Sequence, residues 1–365
     1  MTDDTRFMRL ALSLGRRGMG NTWPNPAVGC VIVRDGRIVG RGWTQPGGRP
    51  HAETQALAQA GDLARGATAY VTLEPCAHHG ATPPCAEALI AAGVARVVSP
   101  LADNDPRVNG QGFAMLRAAG ITVDTGLLAD QAARDHAGFF LRNDAGRPWL
   151  TLKLATSFDG RIATASGESQ WITGAQARHL VQAQRAAHDA VMVGAGTARA
   201  DDPSLTVRAF PVPRQPVRVV VSRHLDLPLM GGLARTARDI PVHICHGPHT
   251  DQSLRETWEC LGATLLECDL QGTAVDPASV LEQLGRQGMT RVFCEGGGML
   301  AASLLAADLV DELIGFTAGV ALGAEGRPAI GALGLDRLAQ APRFELVETR
   351  AVGPDILHRW TRRRG

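Results

Sequence analysis

Between His51 and Cys85 the chain carries the pattern that most restricts its fold: His51-Ala52-Glu53, then Glu74-Pro75-Cys76, then Pro83-Pro84-Cys85. An imidazole and two thiolates bind zinc at ordinary pH; three protein ligands leave a fourth position for water, whose pKa the metal lowers to about 7. His51, Cys76 and Cys85 are therefore the expected metal ligands, and Glu53, not needed as a ligand, is the expected proton carrier. Hydrolysis of a C–N bond at such a metal requires this carrier. The attacking water loses a proton and the departing amine gains one, and one carboxylate beside the metal does both in turn.

Zinc nucleobase deaminases carry His-x-Glu followed by Pro-Cys-x-x-Cys. Here eight residues, 77–84, separate the two cysteines. The local pattern accommodates them. Residues 67–73 read as a strand ending at Glu74-Pro75, and Cys85 opens an apolar run, 86–92, that Gly93 closes as a helix C-cap would. His51 opens a second helical pattern over 51–60. His78 and His79, in the loop, are rival ligands or substrate contacts. The bland alternative is a surface histidine and two cysteines buried as small hydrophobes, which leaves the order of the motif unexplained.

At 365 residues the chain is comfortable for two domains. A formal charge of +1 gives no general attraction to nucleic acid or membrane, and only Arg359, Arg362, Arg363 and Arg364 cluster, as a solvated tail does. Without a signal peptide or an apolar run of spanning length, the expected compartment is the cytoplasm. Seven scattered cysteines argue against a disulfide framework. Lys153 is the only lysine among 37 Lys and Arg residues. Either an ammonium is specifically required there or it survives by chance.

Read in order, residues 7–14 have helical spacing, and 28–33 and 37–43 form a hairpin turning at Asp35-Gly36. Asn25 either reads the amide edge of a heterocycle or initiates a turn before Pro26. Strands at 96–99 and 121–123 alternate with helices at 112–119 and 129–142, implying a helix-sheet-helix sandwich. Residues 143–148 read as a linker. Beyond it, strands at 149–155, 190–193, 217–221, 240–245, 263–267 and 291–294 with helices at 175–187, 276–287 and 299–307 give a second α/β unit. Val193-Gly194-Ala195-Gly196-Thr197 is not a dinucleotide fingerprint, because Arg199 stands where the third glycine belongs. Glu295-Gly296-Gly297-Gly298-Met299 is either a phosphate-binding turn leading into a helix or a plain tight turn.

Nearly the whole chain resembles the bifunctional riboflavin-biosynthesis deaminase-reductase family. The resemblance rests on Pro24-Asn25-Pro26, residues 28–33, Pro50-His51-Ala52-Glu53, residues 69–76, His78-His79-Gly80 and Thr82-Pro83-Pro84-Cys85, for which the eight-residue gap is normal. In the second unit it rests on residues 152–155, 157–161, 167–173, 200–208 and Glu295-Gly296-Gly297.

It implies a cytidine-deaminase-like three-layer α/β sandwich over 1–146 and a reductase domain similar to dihydrofolate reductase over 147–365, working with Zn2+ and NADPH. Asn25 is then a substrate contact of the first site. In the second, Lys153, Ser169, Arg185, Leu205, Arg208 and Glu295 contact substrate. Ala155, Trp171, Thr197, Asp201, Ser222, Gly297, Gly298, Met299, Leu300, Ala301, Ala302 and Ser303 contact NADPH. A ribose 5-phosphate suits Arg185 and Arg208, which bind phosphate in a bidentate fork.

Two positions depart from the family. Asp103-Asn104-Asp105-Pro106 replaces the usual Asp-Pro-Asn-Pro, and an acceptor-only carboxylate at Asp105 cannot repeat what an amide does. Ser222-Arg223 replaces Asp-Ser, with Arg223 a candidate for a 2′-phosphate.

The implied substrate is a phosphoribosylaminopyrimidine, with no nucleic acid or membrane partner and a homo-oligomeric assembly. Two competing readings are a nucleic-acid editing deaminase, which needs a basic aromatic groove that one tyrosine and +1 charge do not supply, and a nucleotide sensor with structural zinc, which needs a fourth ligand.

Overall fold

The computed structural model of the chain describes residues 3–79 and 83–362; Gly80, Ala81 and Thr82 of the motif loop and Arg363 and Arg364 of the tail lie outside the described residues. The chain divides into two compact units, Met1–Gly146 and Arg147–Gly365.

The first unit runs α1 (Asp3–Gly15), β1 (Gly29–Arg34), β2 (Arg37–Trp43), α2 (Ala52–Ala60), β3 (Thr68–Val71), α3 (Cys85–Ala91), β4 (Arg96–Ser99), α4 (Gln111–Ala118), β5 (Thr122–Thr125) and α5 (Ala129–Ala145). Its sheet has the order β2-β1-β3-β4-β5, antiparallel at β1 and parallel from β3 onward. The β1–β2 turn places Asp35 at φ 50° and Gly36 at φ 74°, the paired positive values that a two-residue hairpin needs.

Alternation along β1 feeds two cores. Cys30 and Ile32 pack with Ala52 and Ala56 of α2 and Leu89 of α3, while Val31 and Val33 pack with Phe7, Met8 and Ala11 of α1 and Ala132 of α5. Helices therefore cover both faces, because strand side chains alternate. Glycine sets one spacing. A Cβ on Gly40 or Gly42 of β2 would lie 2.1 Å from Ala56 O or 2.2 Å from Ala52 O, so α2 rests directly on the strand. The linker is shorter than expected: α5 continues to Ala145 and Gly146 (φ 69°) ends it, since Asn143 and Asp144 bond to Asn104.

In the second unit the order is β6 (Trp149–Ser157), β7 (Arg161–Ala163), α6 (Ala175–Ala186), β8 (Ala190–Gly194), α7 (Ala195–Asp201), β9 (Val217–Val221), α8 (Gly232–Arg235), β10 (Val242–His246), α9 (Gln252–Cys260) and β11 (Thr264–Glu267). There follow β12 (Leu270–Gln271), β13 (Ala274–Val275), α10 (Pro277–Arg286), β14 (Arg291–Gly296), α11 (Gly298–Ala306), β15 (Glu312–Ala318), β16 (Arg327–Pro328), β17 (Phe344–Val352) and β18 (Asp355–Arg362).

The main sheet has nine strands, β11-β10-β9-β8-β14-β6-β15-β18-β17, with β15/β18 and β18/β17 antiparallel. All six expected strands lie in it, although β10 starts only after Pro241, which has no N–H for the ladder. Buried runs such as Val191–Val193 and Val219–Val220 read as continuous apolar segments because helices cover both faces.

Candidate active sites

In the first unit three backbone placements make the first site. His51 is the extended N-cap residue of α2 and Glu53 sits in its first turn. Cys85 is the first residue of α3, and its N–H donates to Cys76 Sγ at 3.3 Å. His51 Nδ1 lies 3.3 Å from Cys85 Sγ and 3.7 Å from Cys76 Sγ, and the three potential ligand atoms all lie within 4.8 Å of one another. Two soft sulfurs and an imidazole nitrogen at that spacing suit zinc, so the residues present fit the ion. Among the described residues no fourth His, Cys, Asp or Glu joins this group, His78 and His79 included.

The charges are arranged around one thiolate. The Cys85 thiol bonding to it, together with His51, lowers Cys76 to about 4, and the same contact pushes Cys85 up. Burial, reinforced by the Cys76 charge, raises the Glu53 carboxyl to about 7, in the range where a group both takes and gives a proton near neutrality.

Glu53, His51 and Cys76 line one wall of a cavity of about 400 Å³. Asn25 lines it too, as expected, with Nδ2 donating to Gly48 O at 3.4 Å; Gly48 (φ 83°) is forced, since a Cβ there would lie 2.0 Å from that nitrogen. Asp103 and Asp105 both line the cavity, with Asp103 Oδ1 and both oxygens of Asp105 engaged. Asp103 accepts from Asp105 N and is raised to about 6 by burial, and Asp105 accepts from Arg107. Sequence reasoning missed Arg49, Arg107 and Arg142 on the same lining, for lone arginines carry no motif.

The second site is a cavity of about 440 Å³ in the other unit. Lys153 and Ala155 come from β6, Arg185 from α6, Thr197 and Asp201 from α7, Glu295 from β14 and Gly297 from the turn before α11; Ser169, Trp171, Leu205 and Arg208 complete the expected lining residues. Glu295 holds the cations together. Arg185 Nε donates to its Oε1 at 2.5 Å, Lys153 Nζ stands 3.8 Å from its Oε2, and Arg185 Nη1 donates to Thr206 O at 2.9 Å. Burial alone would raise the Glu295 carboxyl, yet Arg185 and Lys153 hold it below the usual range. Gly297 adopts φ 100°, and a Cβ there would meet Thr197 Oγ1 at 2.9 Å. Four cations (Lys153, Arg178, Arg185, Arg208) beside a glycine-led helix N-terminus suit a phosphorylated cofactor and substrate.

Seven expected cofactor residues are not among the residues that line this cavity. Ser222 is buried with its hydroxyl donating to Asp226 Oδ1 at 2.9 Å, and Arg223 Nη1 is engaged by Thr273 O at 2.6 Å. On α11, Ala301 and Ala302 are turned into the core, Leu300 packs over Gly194, Met299 is exposed, and Gly298 and Ser303 lie outside the lining. Arg178, missed from sequence, lines the cavity and stacks 4.5 Å from the Trp171 ring. Its separation of seven residues from Arg185, two helical turns on one face, was the available signal.

Comparison with known proteins decides the family. Residues 148–358 match the model of the RibD C-terminal domain, and residues 1–100 match that of the cytidine and deoxycytidylate deaminase zinc-binding region. The riboflavin biosynthesis protein RibD of Escherichia coli strain K12 is 46% identical over 360 residues, covering 97% of this chain and 98% of that protein. The chain belongs to the RibD family. Among solved structures, RibD of Acinetobacter baumannii (form 1) is similar at 41% identity with TM-score 0.88, covering 99% of each chain. A Thermotoga maritima diaminohydroxyphosphoribosylaminopyrimidine deaminase/5-amino-6-(5-phosphoribosylamino)uracil reductase is 32% identical with TM-score 0.86, also over 99% of each chain. As a RibD-family protein the chain is a bifunctional enzyme of riboflavin biosynthesis, a zinc deaminase fused to an NADPH-dependent reductase. No helix of its described residues is long and apolar enough to cross a membrane.

Proposed function

We propose that residues 1–146 deaminate 2,5-diamino-6-(5-phosphoribosylamino)pyrimidin-4-one and that residues 147–365 reduce the ribose of 5-amino-6-(5-phosphoribosylamino)uracil to the ribityl chain. The observation that carries this reading is the convergence of His51 Nδ1, Cys76 Sγ and Cys85 Sγ beside the buried Glu53. When bound, zinc supplies an activated water and NADPH a hydride.

The chain's own residues do the rest. His51, Cys76 and Cys85 would hold the metal through one imidazole nitrogen and two sulfurs. Glu53 Oε takes the proton that the water loses and delivers it to the amine that departs, and its burial keeps bulk water from competing for that proton. Asn25, pinned on Gly48, offers its amide to the ring edge. In the second unit Glu295 fixes the Lys153 ammonium and the Arg185 guanidinium, leaving their outer N–H groups for the ribose and phosphate. The reading takes the enzyme as a cytoplasmic homo-oligomer acting on a free small molecule rather than on nucleic acid, with a formal charge of +1 in its support.

The deciding experiment incubates the purified full chain with the diaminopyrimidine phosphate, with and without NADPH. Ammonia release in both arms, and loss of NADPH absorbance only in the second, is the expected result. NADPH loss with no ammonia would remove the deaminase assignment.

A further inference from the structure

The basic rim of the deaminase cavity is built rather than incidental, and the loop 103–110 supplies part of it. Glu74, buried three residues past β3, accepts N–H donors from Asp103 (3.1 Å), Gly110 (2.9 Å) and Phe113 (3.2 Å). Its charge thus ends on the backbone of the loop 103–110 and the first turn of α4, where a carboxylate is favoured. Asn104 ties the same loop to α5, donating to Phe140 O (3.0 Å) and Asp144 Oδ1 (2.8 Å). Two anchors leave residues 105–107 as the tip.

At the tip, Asp105 Oδ1 accepts from Arg107 N and Nε, each at 2.9 Å, and Asp105 Oδ2 accepts from Arg107 Nη2 at 2.5 Å. This fork uses only part of the guanidinium's five donors. The Arg107 side chain stays 68% exposed and lines the same cavity as Glu53 and His51. An acceptor-only carboxylate could not stand beside a phosphate unless a cation covered it, and Arg107 covers both oxygens of Asp105.

We propose that Arg107, oriented by Asp105, is the phosphate-reading residue of the deaminase site, with Glu74 as the positioning residue that fixes its loop. The inference rests on the function proposed above. A substrate whose ring lies against Glu53 extends its phosphoribosyl arm toward the rim, and a planar guanidinium binds phosphate in a bidentate fork.

The test compares ammonia release from the phosphorylated diaminopyrimidine and from its dephosphorylated counterpart, using the full chain. Arg107→Gln is expected to lower the ratio of kcat/KM between the two compounds by about 10-fold to 100-fold, the worth of a lost charge-assisted contact. The loss should lie chiefly in KM, with zinc content and thermal midpoint retained. Asp105→Ala should lower the same ratio less, and Arg107→Lys should restore it in part. A ratio unchanged by Arg107→Gln, or equal losses on both compounds, would overturn the assignment while the deaminase reading stood. A wild-type chain that deaminates neither compound overturns both.

Discussion

The two catalytic cavities are assembled in opposite ways. The deaminase machinery comes from one stretch of chain: a cap residue, a first-turn carboxylate, a strand-end cysteine and a helix-opening cysteine between residues 51 and 85. The reductase cavity gathers residues from β6, α6, α7, β14 and the loops around them, spread over residues 153–329, around one largely buried carboxylate. Metal chemistry needs a few ligands at short spacing, which neighbouring turns can supply. Gripping a dinucleotide and a sugar phosphate needs wide surface, which only the tertiary fold supplies.

That contrast predicts how separately the two activities break. Glu53→Gln keeps the size but removes the proton carrier, and should cut ammonia release by roughly 100-fold to 10,000-fold. Zinc content by metal analysis and reduction of the uracil substrate should both persist; loss of zinc would mean that Glu53 acts as a ligand. Glu295→Ala should instead leave Arg185 and Lys153 facing each other without their shared anion. Reduction should be lost, with about 3 to 5 kcal/mol of stability, measurable by denaturant titration. A stable variant would mean that the cations relax into solvent.

Lys153→Arg sharpens the comparison, because charge is kept and only the ammonium's shape is lost. Reduction is expected to fall about tenfold, or 1.4 kcal/mol, with ammonia release untouched. Unaltered turnover would make the solitary lysine an accident of composition.

A further effect concerns pH. His188, packed on Phe293 and bonded to Gln184 O, is lowered by burial from its ordinary 6.5 to about 3. The unfolded chain then binds a proton that the folded chain refuses, so this contribution is intact above about 6.5 and is lost as pH falls toward 3. His188→Gln should flatten stability against pH across that window, read by thermal melts. An unchanged slope would assign the acid sensitivity elsewhere.

Legibility in the sequence follows the same division. The β1–β2 hairpin was readable because Asp35-Gly36 allows few turns, and the metal site because His51 and Cys85 stand at helix starts marked by prolines and an apolar run. Strands β15, β17 and β18 were not readable. β17 is an edge strand with most side chains in solvent, so Glu345, Glu348 and Arg350 erase its alternation, and β15 is interrupted by Gly315, which lies under the His358 ring. Helix α9 went unread although Leu254, Trp258 and Leu261, at helical spacing, pack on one core. In the reductase cavity the glycines before α11 marked the turn, but no sequence signal shows which face of that helix meets the pocket. Ser222 stands apart from the other expected cofactor residues, its hydroxyl donating to Asp226 four residues on.

The bare glycines of β2 have a reach beyond their own strand. With no side chain at 40 and 42, the helix bearing the proton carrier settles at a height decided by two missing methyl groups. Replacing Gly42 by alanine would lift that helix and carry Glu53 away from the sulfurs of Cys76 and Cys85. An enzyme altered in this way would keep every reactive atom and still deaminate poorly, a defect invisible to any survey confined to the groups that perform the chemistry.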